Sequence, residues 1–150
     1  MRVVIQRVRK ASVSVEGEVC GSIGHGLLIL AGFEESDMPE DVAWIAGKVL
    51  KLRVFDDSEG IMNLSVGEKN GELLVVSQFT LHASTRKGNR PSYIRAAKPE
   101  TAIPLYNLFI DHLKQELGKE ISSGRFGALM QVELINNGPV TIIIDSKLRE

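Results

Sequence analysis

The sequence contains a single cysteine, Cys20, so the chain cannot form an internal disulfide. No apolar run approaches the roughly 20 residues that a membrane-spanning helix needs. The N-terminal stretch MRVVIQRVRKASV is split by basic side chains and has too short an apolar segment for a secretory signal. These absences together predict a cytoplasmic protein that does not associate with a membrane.

The sequence also lacks the spacings of side chains that hold metals and common cofactors. Its three histidines are scattered and form no ligand pattern with each other or with Cys20: His25, His82 and His112. The stretch GSIGHG at residues 21–26 does not have the glycine order of a dinucleotide-binding loop, and it precedes a strand-like run, so it predicts a turn. We therefore expect neither a metal nor a cofactor.

Charge is nearly balanced overall, with a net charge of −1, but it is unevenly distributed. Residues 83–99 contain no acid, and neither do residues 1–15. The first of these segments carries five basic side chains: Arg86, Lys87, Arg90, Arg95 and Lys98. Such local basic segments can bind phosphates on a protein that is neutral overall, although charge alone favours ordinary solvated loops.

A chain of 150 residues with 43% apolar residues predicts one domain, spanning residues 1–150. Apolar residues at helical spacing predict two amphipathic helices, around residues 42–50 and 102–117. Short or alternating apolar runs predict strands, which we place at residues 2–6, 12–15, 26–32 and 73–76 and on both sides of residue 138. The predicted fold class is mixed α/β (α+β), with a mixed, largely antiparallel sheet, a barrel-like core and two main helices.

Local signals predict several boundaries. Asp37 and Glu40 have the spacing of a capping box before the first helix. Pro104 is expected in the first turn of the second helix, which Gly118 should end. Residues 52–55 have the character of a further strand.

The stretch INNGPVT at residues 135–141 places a Gly-Pro pair between two alternating apolar runs. A turn between two strands needs no proline, which removes a backbone donor from the strand that follows. Proline also gives the chain access to a cis peptide bond that other residues almost never adopt. The pair therefore indicates a special requirement at this point of the chain.

The stretch VVSQFTLHASTRKGNRPSY at residues 75–93 places polar side chains at the end of a buried strand, where open sheets often build sites. Thr80 and His82 suggest a nucleophile and its base, but in an extended strand their α-carbons would be about 6–7 Å apart. No Gly-x-Ser-x-Gly elbow is present. Phe126 and Met130 are most simply core residues, although a phenylalanine in a loop can also stack on a base.

Three motifs together resemble one family. VSQFTL at residues 76–81, KGNRPSY at 87–93 and NNGPVT at 136–141 are similar to the signatures of D-aminoacyl-tRNA deacylases, also called D-tyrosyl-tRNA deacylases. The resemblance continues through QRVRKASVSVEG, KVLKLRVFDD, AAKPETAIPLY and GRFGALMQVEL. Asn137 and Ser84 stand where the family often has aspartate, which affects local hydrogen bonding only.

The resemblance implies a homodimer that hydrolyses the ester between a D-amino acid and the 3′ end of tRNA, with no DNA partner. It implies that the Gly138–Pro139 bond is cis and enters the partner's active site, where its carbonyls hold the substrate's ammonium group. L-aminoacyl substrates would be rejected by a clash, and glycyl-tRNA, which has no side chain to clash, would be partly accepted. Arg7 would brace the partner's Gly-Pro loop.

The resemblance also places the ester beside Ser77, Gln78, Phe79 and Thr80. In one account of the chemistry Thr80 is the nucleophile; in the other, the 2′-hydroxyl of the terminal adenosine assists water and backbone N–H groups near Phe79 form an oxyanion hole. We favour the second account, because the sequence offers Thr80 no convincing base. Phe126 and Met130 are the candidates for the adenine pocket, and the candidates for phosphate contacts are Arg86, Lys87 and Arg90.

Two functions of other classes remain open at this point. The protein could be a non-catalytic RNA-binding module that uses the same basic loop. It could instead be a Ser/Thr hydrolase of small D-amino esters or amides, which would cleave substrates that contain no RNA.

Overall fold

The computed structural model describes residues 1–149. Within them the chain forms β1 (Arg2–Val15), β2 (Glu18–Ile23), β3 (Gly26–Gly32), α1 (Pro39–Lys51), β4 (Phe55–Asp56), β5 (Met62–Leu64), β6 (Glu72–Ser77), a 3-10 helix (Phe79–His82), α2 (Pro99–Leu117), β7 (Ser122–Ser123) and β8 (Met130–Asp145). None of the helices in this part of the chain is long and apolar enough to cross a membrane.

The main sheet is built around the long strand β1. Along one edge, β1 pairs antiparallel with β3 through its first half and with β2 through its second half. Along its whole length it also pairs antiparallel with β8. β6 pairs in parallel with β3 on one side and with β7 on the other. The other end of the sheet, β2, lies next to β7, and the Ser122 hydroxyl donates a hydrogen bond to the Ser22 carbonyl at 3.1 Å. The sheet is therefore mixed and nearly closed into a barrel, as the sequence predicts.

The core lies on both faces of this sheet. One face packs against α1 and α2 through fully buried side chains such as Ile45 and Phe109. The other face encloses a smaller cluster that includes Val13, Leu28 and Leu74. In β6, Leu73 and Val75 face the helices while Leu74 and Val76 face the second cluster, which confirms the prediction of a strand covered on both faces.

Three predicted boundaries are wrong. Residues 2–6 and 12–15 belong to the single strand β1, because the residues between them do not form a turn but continue the pairing with β2, β3 and β8. In α1 the N-cap is Met38, whose backbone N–H donates to the Asp41 carboxylate at 2.9 Å, so the predicted capping box is displaced by one residue. Pro104 lies inside α2, which begins five residues earlier at Pro99.

Two further segments also differ from the prediction. Of residues 52–55, only Phe55 enters a strand, the two-residue β4 that pairs with β5. Residues 79–82 form a 3-10 helix instead of continuing β6. Gly118 ends α2, as predicted.

Candidate active site

A cavity of about 240 Å³ lies at the edge of the sheet where β3 and β6 end. Because these strands are parallel neighbours, their carboxyl ends meet at the same edge, which is a usual position for sites in such sheets. The cavity brings together residues that are far apart in sequence: Ala31, Gly32, Phe33, Val76, Ser77, Gln78, Phe79, Ala97, Ala102, Phe126, Gly127, Ala128, Met130 and Val132. Three of the four predicted catalytic residues therefore line the same cavity as both predicted adenine-pocket residues.

The fourth predicted catalytic residue, Thr80, lies on the other side of the 3-10 helix. It lines a separate, open groove and not the cavity. Its hydroxyl accepts a hydrogen bond from the Gln78 side-chain amide at 2.5 Å. His82, the suggested base, is buried and its Nδ1 lies 2.8 Å from a carboxylate oxygen of Glu34. The strand spacing considered for Thr80 and His82 does not apply, because residues 79–82 form a 3-10 helix.

In the described part of the chain, the 3-10 helix also leaves a backbone donor without a partner on a residue that lines the cavity. The first N–H groups of any helix have no acceptor within it. Among residues 1–149 no acceptor is found for the N–H of Phe79, whereas Gln78 N–H is used by the Ala31 carbonyl at 2.7 Å. This arrangement leaves the Phe79 N–H free to bind an oxygen in the cavity.

Glycine at position 32 allows the 3-10 helix to approach β3 closely. A β-carbon there would lie 2.7 Å from the Gln78 carbonyl oxygen and 3.1 Å from side-chain atoms of Leu81 and His82. A larger residue would push the segment that carries Phe79 away from β3. Gly32 therefore fixes the position of the site, and no local pattern in the sequence predicts this role.

The far wall of the cavity is held by a buried tyrosine. The Tyr106 hydroxyl donates to the Val75 carbonyl at 3.1 Å, and the ring is edge-on to Phe126 at 5.6 Å. Burial raises the pKa of Tyr106 to about 12, so the hydroxyl remains a neutral donor at physiological pH. Tyr106 on α2 thereby connects Phe126 with the strand that ends at Ser77.

The Gly-Pro pair does not form a turn between two strands. β8 pairs with β1 on both sides of it, but Gln6 faces Thr141 and Val8 faces Asn136, so residues 137–140 loop out opposite Arg7. The Gly138–Pro139 bond is cis, as the resemblance implies. Both residues are exposed. Gly138 has a φ of 147°, and a β-carbon there would lie 2.7 Å from the Val140 nitrogen, so glycine is required.

Arg7 holds this loop within its own chain. Its guanidinium donates to the carbonyls of Asn137 at 2.8 Å and Val54 at 2.6 Å, and it lies 3.3 Å from the Asp56 carboxylate. The side chain is buried, and its Nε and Nη1 atoms bind groups of its own chain, whereas a contact of Arg7 with a partner's loop stays a prediction. The Asn136 side chain, which we did not single out, closes the loop from the other side by donating to the carbonyl of Val140 at 3.1 Å.

The predicted phosphate-binding residues lie on a separate, exposed loop. Arg86, Lys87 and Arg90 are all exposed and none lines the cavity. The loop is closed by paired backbone hydrogen bonds between Ser84 and Ser92, at 2.8 and 2.9 Å. It begins two residues after the 3-10 helix whose first residue, Phe79, lines the cavity.

Comparison with known proteins shows the family of the chain. Residues 4–145 match the family model described as D-Tyr-tRNA(Tyr) deacylase. Proteins named D-aminoacyl-tRNA deacylase from Bacteroides thetaiotaomicron and Akkermansia muciniphila are 60% and 63% identical, each over 100% of both chains. The chain therefore belongs to the D-Tyr-tRNA(Tyr) deacylase family.

Solved structures share the fold. A protein called c-Myc DNA Unwinding Element Binding Protein is 42% identical, with a TM-score of 0.89 over 97% of this chain and 98% of its own. A probable eukaryotic D-amino acid tRNA deacylase is 17% identical, with a TM-score of 0.82 over 95% and 97%. The second likeness concerns the fold alone.

Proposed function

We propose that this protein hydrolyses the ester bond of D-aminoacyl-tRNA and releases the free D-amino acid and tRNA. The observation that carries the proposal is the cavity in which Phe79, with its free N–H, faces Phe126 and Met130. Phe126 and Met130 offer an apolar surface for the terminal adenine, and Ser77 and Gln78 border the position of the ester. Family membership over residues 4–145 supports the same activity.

In this proposal the protein stabilises charge and the RNA assists water. The Phe79 N–H donates to the oxyanion that forms when water attacks the ester carbonyl, and one such donor is typically worth about 3–4 kcal/mol of transition-state stabilisation. The 2′-hydroxyl of the terminal adenosine orients the attacking water. Thr80 is not the nucleophile, because its hydroxyl is turned to Gln78 and, among the described residues, hydrogen-bonds to no histidine or carboxylate.

Selection between D and L substrates would need a second copy of the chain. Residues 137–139 are exposed, and none of residues 137–140 lines the cavity of its own chain. A homodimer would allow Gly138 and Pro139 to enter the partner's cavity and exclude an L side chain by contact with rigid backbone. Glycyl-tRNA would not be fully rejected.

An apolar groove supports the dimer. It is lined by Thr80 and by the end of β8, and it borders the 3-10 helix of the site. Ile143 and Leu148 in it are 68% and 65% exposed, which is unusual for large apolar side chains close together. A second copy seated there would cover these side chains and bring its loop close to the site.

Three esters test the function. D-Tyr-tRNA should be hydrolysed, L-Tyr-tRNA should be spared and D-tyrosine methyl ester should react no faster than in buffer, since it lacks the adenosine. Free tyrosine release by chromatography measures all three. A protein that binds tRNA but leaves both RNA esters intact would be a binding module, and cleavage of the methyl ester would instead indicate a Ser/Thr hydrolase.

Gly32→Ala should lower kcat/KM for D-Tyr-tRNA by about 10-fold or more. The added methyl group forces the Gln78 carbonyl and the following 3-10 helix away from β3, and a displacement of 1 Å can cost about 100-fold in rate. Gly47→Ala is the matched control, because a β-carbon at that position of α1 meets nothing within 4 Å. Equal activity of the two variants would show that the position of this segment is not critical.

A further inference from the structure

An exposed pair of aromatic side chains lies at the cavity and extends beyond it. Phe79 is 57% exposed and Tyr93 is 41% exposed, and their rings meet edge to face with centroids 5.1 Å apart. Phe79 lines the cavity, whereas Tyr93 does not. Tyr93 has no part in the site described above, although it continues the apolar surface of that site outward.

Tyr93 is held firmly for an exposed residue. It follows directly on the backbone pairing of Ser84 with Ser92, and its own carbonyl accepts from Ala96 N–H at 3.0 Å. Two residues later, the Arg95 guanidinium lies 2.7 Å from the Glu34 carboxylate. The ring therefore projects from backbone that is anchored on both sides, which reduces the entropy that binding a ligand would cost.

The surroundings of the pair are positively charged. Arg86, Lys87 and Arg90 lie on the loop that ends at Tyr93, and within residues 1–149 none of them makes an ion pair. The whole segment 83–99 contains no acid. Unpaired cations beside exposed aromatic rings match single-stranded nucleic acid, whose bases offer flat apolar faces and whose backbone offers phosphates.

We propose that Tyr93 is a stacking subsite for the nucleotide that precedes the terminal adenosine of the tRNA, with the loop cations on the adjoining phosphates. The inference rests on the proposed function and deepens it. Phe79 is shared between the cavity and the pair, so a terminal nucleoside in the cavity places the preceding base next to Tyr93. The subsite recognises the single-stranded 3′ end without reading its sequence.

Two esters separate this subsite from the cavity itself: D-Tyr-tRNA and D-tyrosyl-adenosine, which carries only the terminal nucleoside. Tyr93→Leu should lower kcat/KM for D-Tyr-tRNA about 5- to 150-fold, mainly by raising KM, since loss of one base–aromatic stack typically has this size. The same variant should hydrolyse D-tyrosyl-adenosine at the wild-type rate.

Two control variants accompany this measurement. Tyr93→Phe keeps the ring and should behave as wild type on both esters. Ile61→Ala removes an apolar side chain that is 59% exposed on the distant segment between β4 and β5, and it should change neither rate.

Two other results would contradict the proposal that Tyr93 is a stacking subsite. Equal losses on both esters would mean that Tyr93 acts only by supporting Phe79, and no loss on D-Tyr-tRNA would mean that no base stacks there. A wild-type protein that hydrolyses neither ester would refute the proposed function instead. In that case the affinity for a CCA trinucleotide would test the subsite separately from catalysis. Equal affinity of Tyr93→Leu and the wild-type protein would exclude the subsite.

Discussion

Replacing the terminal adenosine of D-Tyr-tRNA by its 2′-deoxy form is expected to lower kcat at least about 100-fold, whereas Thr80→Val should change kcat by less than about threefold. The first change removes the group that we propose orients the attacking water. The second removes a hydroxyl whose identified contact is the Gln78 side chain and which lies outside the cavity.

Both substrates are measured under single-turnover conditions, and the uncatalysed rate of each ester is subtracted. This is necessary because a neighbouring hydroxyl also accelerates spontaneous hydrolysis. Affinity is measured separately by competition with uncharged tRNA, so that a loss of binding is not mistaken for a loss of chemistry. Thr80→Ser serves as the conservative control for the hydroxyl.

The opposite pattern would establish Thr80 as the nucleophile. Thr80→Val would then abolish turnover while Thr80→Ser retained it, and the 2′-deoxy ester would still be cleaved by the wild-type protein. That result would require a base for Thr80 other than His82, because the His82 ring is 1% exposed and directed at Glu34.

The site could be predicted from the sequence where its residues are adjacent in the chain or belong to a motif. Ser77, Gln78 and Phe79 follow a buried apolar run, and this run does end at the cavity. Phe126 and Met130 could be assigned only through the resemblance, because nothing in their own neighbourhood distinguishes a pocket from a core.

The residues that sequence analysis missed owe their roles to tertiary contacts with other elements. Gly32 matters because the Gln78 carbonyl lies where its β-carbon would be, and Tyr106 matters because it reaches Val75 on another element. Such contacts depend on the packing of β3, β6 and α2 and leave no local pattern. The bulge at residues 137–140 also leaves no local pattern, because it is defined by the pairing of β8 with β1, which lies at the other end of the chain.

Arg7→Met is expected to lower the free energy of unfolding by about 2–4 kcal/mol, because it leaves the carbonyls of Val54 and Asn137 without their donor. Methionine preserves much of the buried volume. The loop of residues 137–140 loses its main support, so hydrolysis of D-Tyr-tRNA should fall about 10-fold or more. Thermal unfolding and kcat/KM measure the two effects, and Arg9→Met, at an exposed position of the same strand, is the control.

A mixture of two damaged subunits shows on which chain the loop acts. Gly32→Ala damages the cavity and Arg7→Met damages the loop. If the loop serves the partner's cavity, a heterodimer of the two variants has one site with both lesions and one site with none. Random assembly then restores about a quarter of the wild-type activity, since half of the dimers are mixed and half of their sites are intact. If the loop serves its own cavity, every site carries a lesion, and co-expression of the two tagged chains restores no activity. That result would contradict the proposal that D and L substrates are distinguished by a loop of the partner subunit.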